Sequence, residues 1–309
     1  AAQVGLTRLI GFDMGGTSTD VWHYDGAFER SFDTQVAGVR LRAPIMDIHT
    51  VAAGGGSVLS YDGARFRVGP HSAGANPGPA CYRRGGPLTV TDCNLLLGRV
   101  RPEFFPTLFG PDGAQPLDVD VVRQGFAVLA AQSGLAAERV AEGFLHIAVQ
   151  NMANAIKRVS VARGHDVTRH ALACFGGAGG QHACLVADAL GMDTIVLHPL
   201  AGVLSAYGMG LADLRVLKER ALEVVLGAET CPAVNRAVAD LEAQARSELE
   251  RQGVERLDMT LRRSLKVRTQ GSDTALEVPF GDVAAIADAF ARAHAARFGF
   301  VMEGHALVV

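Results

Sequence analysis

Two aspartates enclose a short polar segment rich in glycine near the start of the chain. Asp13 and Asp20 lie on either side of residues 14–19, and apolar runs precede and follow them. This pattern predicts a strand, a tight turn and a second strand. Glycine lets the backbone approach a ligand closely, and the N–H groups of such a turn suit an anion. The candidate ligand-binding residues of the turn are Gly15, Gly16, Thr17 and Ser18.

The two carboxylates indicate which ligand this turn would take. A carboxylate repels a phosphate group unless a cation lies between them. The pattern therefore favours a Mg²⁺-nucleotide, with the glycine amides on phosphate and with Asp13 and Asp20 on the metal or on water. The alternative is a β-hairpin whose Asp and Thr side chains only stabilise the turn. The motif is short, so the residues alone leave both interpretations open.

A second glycine-rich segment follows a short apolar run. Residues 171–175 are predicted to form a buried strand, and a helix from Gln181 to Leu190 follows the glycines. The segment is not a P-loop, because no Lys-Ser/Thr follows it, and His182 replaces the last glycine of G-x-G-x-x-G. Glycine amides at a helix start still favour a phosphate, or close approach of a base and ribose. The alternative is a turn that needs glycine for packing. The candidate residues are Gly176, Gly177, Gly179 and Gly180.

Periodicity and turn residues predict the remaining elements of the first two-thirds of the chain. Residues 36–110 are expected to be loop-rich, with a short hairpin around Asp62-Gly63. Residues 88–91 alternate like a strand, and Asp92 could cap a short helix that follows. Two helices are predicted after residue 118, the second continuing to Arg163 and ending at Gly164.

Residues 226–309 read as a separate small unit. A helix over about 233–252, a hairpin over 265–278 and a last helix over about 282–297 are predicted. No catalytic constellation is present in this part of the sequence.

Composition narrows the class of protein. The chain has 309 residues, 49% hydrophobic and 20% charged, with a net charge of −3. These values are ordinary for a globular protein and give no electrostatic sign of a nucleic-acid or membrane partner. No run reaches the roughly 18 apolar residues of a membrane span. Five scattered cysteines without Cys-x-x-Cys favour reduced thiols in the cytoplasm, and the histidine spacing does not support a transition-metal site.

Several motifs together resemble the hydantoinase A / 5-oxoprolinase family. They are DMGGTSTD at 13–20, GANPGPACY at 74–82, LTVTDCN at 88–94, FGGAGGQHA at 175–183 and GVLSAYG at 202–208. The resemblance extends over essentially the whole chain. It implies that residues 1–218 are the family's ATPase-type domain and that residues 219–309 are a C-terminal α+β domain, cut short.

The resemblance implies a fold and a cofactor. The expected fold is α/β: a ribonuclease-H-like lobe of the actin, sugar-kinase and chaperone ATPase type, with a loop-rich insertion. Asp13 to Asp20 would be the second phosphate motif, with ATP and Mg²⁺ as ligands, and Gly176 to Gly180 would be the adenosine-side loop. Family members use ATP to open cyclic amides such as 5-oxoproline and hydantoins, or to carboxylate ketones.

The resemblance also implies partners. A hydantoinase B-type subunit or domain is expected, as is an N-terminal lobe with its own Asp-x-Gly-Gly-Thr motif, because only one such motif occurs here. The chain begins at Ala1 without Met, so we expect an excised fragment. Because the second phosphate loop is missing, we expect the fragment to bind ATP weakly at best and not to turn it over. We also expect the apolar face left by the absent lobe to favour self-association. Two alternatives remain: a small-molecule kinase of the same superfamily and a non-enzymatic ATP-binding module.

Overall fold

The computed structural model describes residues 5–36, 39–300 and 304–309. The chain divides into two compact units. The first comprises residues 1–162 and 166–210, and the second comprises residues 163–165 and 211–309.

The first unit is built on a mixed five-stranded sheet with the order β5-β2-β1-β8-β9. Strand β2 is antiparallel to both β1 and β5, whereas β8 and β9 continue the sheet in parallel with β1. The five strands are β1 (Arg8–Met14), β2 (Thr19–Asp25), β5 (Ile48–Val51), β8 (Ala171–Phe175) and β9 (Ile195–Leu197).

The central strand β1 is mostly apolar because both its faces are covered. Leu9, Ile10, Phe12 and Met14 are all buried, as expected for a central strand of an α/β sheet. Gly11 has no side chain because the Trp22 ring of β2 occupies the space that a Cβ would need.

Two smaller hairpins and five helices complete the first unit. The hairpins pair β3 with β4 and β6 with β7. Helix α3 packs against β2, β5 and β7, and its apolar stripe forms much of the core. The elements are β3 (Arg30–Val36), β4 (Val39–Met46), β6 (Ser57–Tyr61), β7 (Phe66–Ser72), α1 (Val90–Leu96), α2 (Val119–Ser133), α3 (Ala137–Val159), α4 (Ala183–Leu190) and α5 (Leu204–Gly210).

The structure corrects three of the predictions for this unit. Residues 39–51 are less irregular than expected, because β4 and β5 lie there. Residues 88–91 are not a strand: Thr89 caps α1, and its side chain and that of Asp92 form a capping box. Helix α3 ends at Val159 rather than at Arg163, and a 3-10 turn follows it. Gly164 has a positive φ of 86° but is not the helix cap.

The second unit is a three-stranded sheet packed with helices, and its predicted elements are confirmed. Strand order is β11-β10-β12, and α7 packs on β11. Buried Val267, Val278, Ile286 and Phe290 form part of its core. The elements are α6 (Cys231–Arg251), β10 (Ser264–Thr269), β11 (Leu276–Pro279), α7 (Val283–Phe298) and β12 (Leu307–Val308), of which β12 was not predicted. Among the described residues, no helix combines the length and apolarity that a bilayer crossing requires.

Candidate functional site: a glycine-lined carboxylate pair

The predicted turn is present, and it places the two aspartates side by side. Asp13 and Asp20 are direct partners in the antiparallel pairing of β1 and β2. The Gly15 N–H donates to the Ser18 carbonyl (3.0 Å) and closes the turn. Gly16 and Thr17 are exposed, and within the described residues their N–H groups donate to no protein acceptor. The tip therefore offers free backbone donors beside two carboxylates.

Three consecutive glycines line one side of this turn. The N–H groups of Gly55 and Gly56 donate to the carbonyls of Gly15 (3.2 Å) and Gly16 (2.6 Å). A Cβ on Gly54 would lie 2.6 Å from the Thr17 carbonyl carbon. Such a distance excludes any side chain. These backbone contacts hold the tip of the turn in place. No role for the three glycines was predicted from the sequence.

The second glycine-rich segment lies against the end of β1. The Ala178 N–H donates to the Met14 carbonyl (2.9 Å). Gly176 has a φ of +84°, and a Cβ there would lie 2.5 Å from Asp13 Oδ1 and clash with the Met14 carbonyl. Both loops thus lie at the carboxyl ends of the adjacent parallel strands β1 and β8, where open α/β sheets bind ligands.

The glycines of this segment differ in exposure. Gly177 and Gly180 are exposed. Gly179 is buried, and a Cβ there would lie only 2.8 Å from Cys174 Sγ. Among the described residues, the Gly177 N–H has no protein acceptor.

The electrostatic environment of Asp13 matches that of a ligand-binding carboxylate. Partial burial raises the pKa of Asp13, the Ser205 hydroxyl that donates to Asp13 Oδ2 (3.1 Å) lowers it, and the charge of Asp20 raises it again. Asp20 Oδ1 accepts from the Thr50 hydroxyl (2.6 Å). Two neighbouring carboxylates with so few donors repel each other, and a bound cation would relieve that repulsion.

The proline-rich segment over residues 74–82 begins next to the same turn. The Ala73 N–H donates to the carbonyl of Gly56 (2.8 Å), the glycine that itself contacts the turn. Further along, Asp92 Oδ2 accepts from the N–H of Ala80 (3.1 Å), and its Oδ1 accepts from the N–H of Cys81 (2.9 Å). Asp92 therefore anchors the far end of the segment to the start of α1.

Cys81 is unsuited to be a nucleophile. Its side chain is fully buried. Burial, with the Asp92 carboxylate beside it, raises the pKa of the Cys81 thiol far above its usual range. Since the thiolate is the reactive form, this thiol is inert at neutral pH.

The structure brings most of the predicted site residues together. Asp13, Asp20 and the residues of the turn lie around one point, and Gly176 contacts Asp13. Sequence reasoning missed Ser205, whose only signal was its place in a family motif. It also missed Gly54–Gly56, which three successive glycines could have indicated.

The fold and site define an α/β protein with two glycine-rich loops at the ends of adjacent strands. The Hydantoinase/oxoprolinase family model matches residues 1–218, and the chain belongs to that family. It is 44% identical to 5-oxoprolinase 1 of Arabidopsis thaliana over 318 residues, which cover 97% of this chain and 25% of that protein. The chain thus spans about a quarter of the length of this curated relative.

Two solved structures share the fold. The crystal structure of the ATP-dependent caprolactamase from Pseudomonas jessenii matches with a TM-score of 0.87 and 30% identity, covering 100% of this chain and 46% of that one. The nucleotide-free structure of acetone carboxylase matches with a TM-score of 0.66 and 22% identity, covering 99% and 46%. The chain therefore has the mixed α/β fold of these ATP-dependent enzymes.

Proposed function

We propose that this chain is the nucleotide-binding part of an ATP-dependent hydrolase that opens a cyclic amide. The observation that carries the proposal is the paired Asp13 and Asp20 at a turn with free backbone donors. Family membership supports it, and so do the names of the relatives, 5-oxoprolinase and ATP-dependent caprolactamase.

The residues present fit Mg²⁺ and a phosphate group. Carboxylate oxygens are the ligands that Mg²⁺ takes in proteins, and Asp13 and Asp20 supply them at adjacent positions. Bound Mg²⁺ would neutralise phosphate charge. The N–H groups of Gly16 and Thr17 would donate to phosphate oxygens, and Gly15 and Ser18 would keep the tip in shape. The hydroxyls of Thr17 and Ser18 add two further donors.

The Gly176 to Gly180 segment would hold the nucleoside half of ATP. Gly176 and Gly179 allow close packing against β1 and β8, and exposed Gly177 and Gly180 leave room for a flat ligand. The chemistry is activation of a poor electrophile. An amide oxygen is a bad leaving group, and phosphorylation of that oxygen converts it into a good one.

The finer architecture is also part of the proposal. We infer that the five-stranded sheet is a ribonuclease-H-like lobe, that residues 1–218 form the ATPase domain and that residues 219–309 form a C-terminal domain. A second lobe with its own phosphate loop and a hydantoinase B-type partner would complete the enzyme. Val203 and Met209 are large apolar side chains that are exposed near the site. Their exposure supports the proposal that another segment of the protein or a second copy of the chain covers this surface. Five free thiols support a cytoplasmic location.

We further propose that the 74–82 segment faces the reaction centre or the partner hydrolase. Its start lies beside the Asp13 turn through Gly56, and Asp92 holds its end.

Product analysis tests the proposed function. The full-length protein, given Mg-ATP and a panel of lactams and hydantoins, should release ADP together with the ring-opened product. A phosphorylated sugar or acid would instead identify a kinase, a carboxylated ketone would identify a carboxylase, and ADP alone would identify a non-enzymatic ATP-driven module. Residues 1–309 alone should release no ADP in the same assay. Steady release would contradict the inferred second lobe.

A further inference from the structure

A hydrogen-bonded network links α1 to the end of the glycine loop. Asn94 lies on α1, Arg99 follows it, and Gln181 ends the 3-10 turn Gly179–Gln181. Asn94 Nδ2 lies 3.0 Å from Gln181 Oε1, and Arg99 Nε lies 3.1 Å from Asn94 Oδ1. Arg99 Nη2 also donates to the main-chain carbonyl of Gln181 (2.6 Å). One guanidinium thus fixes both the backbone and, through Asn94, the side chain of Gln181.

The network determines which way each amide faces. A guanidinium can only donate, so Asn94 Oδ1 must be the atom that accepts from Arg99. The Asn94 NH₂ group is therefore the donor to Gln181, and Gln181 must accept through Oε1. The NH₂ group of Gln181 is left over. Among the described residues it has no protein acceptor, and Gln181 is only half-buried.

His182 is consistent with this orientation. It is fully buried, and its Nε2 lies 3.2 Å from Asn94 Nδ2. Because Asn94 donates there, His182 Nε2 must accept, which assigns the ring proton to Nδ1. Burial, together with the charge of Arg99, lowers the pKa of His182 to about 4. The imidazole is therefore neutral at pH 7, and its Nε2 is free to accept from Asn94.

We propose that Gln181 contributes to nucleotide binding by donating a hydrogen bond from its side-chain NH₂ to an acceptor atom in the nucleoside half of the nucleotide. Asn94 and Arg99 are positioning residues that keep the donor outward. This inference rests on the proposed binding of a nucleotide at the glycine loops.

The charge and the position of Gln181 favour the nucleoside over the phosphates as its ligand. The guanidinium of Arg99 is already committed to Asn94 and Gln181, so this end of the loop offers neutral donors, which suit ring nitrogens or ribose oxygens. Gln181 also lies five residues beyond Gly176, the residue that contacts Asp13. The carboxylate pair and the free donors of the turn, where phosphate and metal would bind, lie at the other end of the loop.

The test compares ATP with inorganic tripolyphosphate, which lacks the nucleoside. Calorimetry with Mg²⁺ is done on the full-length protein and on its variants. Gln181→Met removes the donor without adding charge and should weaken ATP binding about three- to tenfold, with tripolyphosphate binding unchanged. Gln181→Glu keeps an acceptor for Asn94 but places an acceptor outward, so the ATP loss should exceed tenfold. Gln132→Glu, the same change at an exposed position, is the matched control and should have no effect.

Asn94→Asp tests the positioning role. Aspartate still accepts from Arg99 but cannot donate to Gln181, so the Gln181 amide should turn and present oxygen outward. ATP affinity should then fall as in Gln181→Glu, again without loss of tripolyphosphate binding. Nitrogen NMR of the wild-type chain provides an independent readout and should find the His182 proton on Nδ1 at pH 7.

Each contrary result has a distinct meaning. Unchanged ATP affinity in Gln181→Met, with wild-type ATP binding intact, would overturn the role of Gln181 and leave the proposed function standing. A wild-type protein that binds no ATP would overturn both. A His182 proton on Nε2 would overturn the orientation of the network on which the inference depends.

Discussion

Asp13 and Asp92 are two carboxylates near the same glycine loops, but their surroundings differ. Asp92 is fully buried and accepts from the N–H groups of Ala80, Cys81 and Thr89 and from the Thr89 hydroxyl. Asp13 is partly exposed, accepts from one hydroxyl and faces a second carboxylate. The satisfied carboxylate stabilises the fold, and the under-satisfied one is available to a ligand.

Burial raises the pKa of both groups, so the direction of the pKa shift alone does not separate the two roles. The number and kind of donors do. A carboxylate that accepts from three backbone N–H groups and a hydroxyl has no lone pair left for a metal, whereas one that accepts from a single hydroxyl does.

Asp92→Ala should produce the largest loss of stability. It removes the acceptor of the buried Cys81 and Thr89 N–H groups, whereas the Ala80 N–H also donates to the Pro87 carbonyl (3.0 Å). Each buried group left without an acceptor costs about 1–3 kcal/mol. We therefore expect the free energy of unfolding to fall by at least about 2 kcal/mol in urea titrations of this chain. Asp92→Asn keeps one acceptor oxygen and should lose less. Equal stability of Asp92→Ala and wild type would remove the contrast with Asp13.

Asp13→Asn should show the opposite behaviour. Loss of one electrostatic contact of this kind typically costs about 10²–10³ in turnover, so ATP-dependent ring opening by the full-length protein should fall by that factor. The midpoint of urea unfolding should stay within error of wild type. Asp112→Asn, an exposed aspartate, is the control for the charge change. Wild-type turnover by Asp13→Asn would remove Asp13 from the site.

The buried His182 should make the first unit sensitive to acid. Its folded pKa of about 4 is below the ordinary value of 6.5, so the unfolded chain binds the extra proton first. Stability therefore is unaffected above about pH 6.5 and falls as the pH drops towards 4. The shift corresponds to about 3 kcal/mol. In His182→Gln, this acid-dependent loss of stability should be absent when the free energies of urea unfolding at pH 7 and pH 4.5 are compared. Parallel pH dependence in both proteins would contradict a buried neutral imidazole.

Cys81→Ser should have the smallest effect on activity. The thiol is buried and protonated, so no step should need it, and most turnover should remain. A hydroxyl in place of the thiol can still donate to Asp92. Complete loss of activity with an intact fold, together with covalent capture of an intermediate on Cys81, would reverse the assignment and make the 74–82 segment catalytic.

Most strands and helices of this chain follow from local patterns, whereas β4, β5 and β12 were not predicted. The run from Leu9 to Phe12 and the helical stripe of α3 depend on side-chain periodicity, which neighbouring residues determine. The turn between Asp13 and Asp20 could also be predicted from the sequence, because only a few residue types, glycine above all, allow the backbone conformation of a tight turn. The start of α1 was misassigned, since Thr89 and Val90 favour strands by type and the capping box with Asp92 overrides that preference.

The amino-acid sequence by itself determined which groups could bind a nucleotide. They are the two aspartates and the two glycine-rich segments. Only the tertiary structure decided how they are held. The contacts of Gly55 with Gly15, of Ser205 with Asp13 and of Asn94 with Gln181 join residues 40 to 192 positions apart. No local periodicity encodes such contacts. They exist because the pairing of β1 with β8 and of β2 with β5 brings distant loops to one edge of the sheet. Burial and donor count then distinguish a structural carboxylate from one that is available to a ligand.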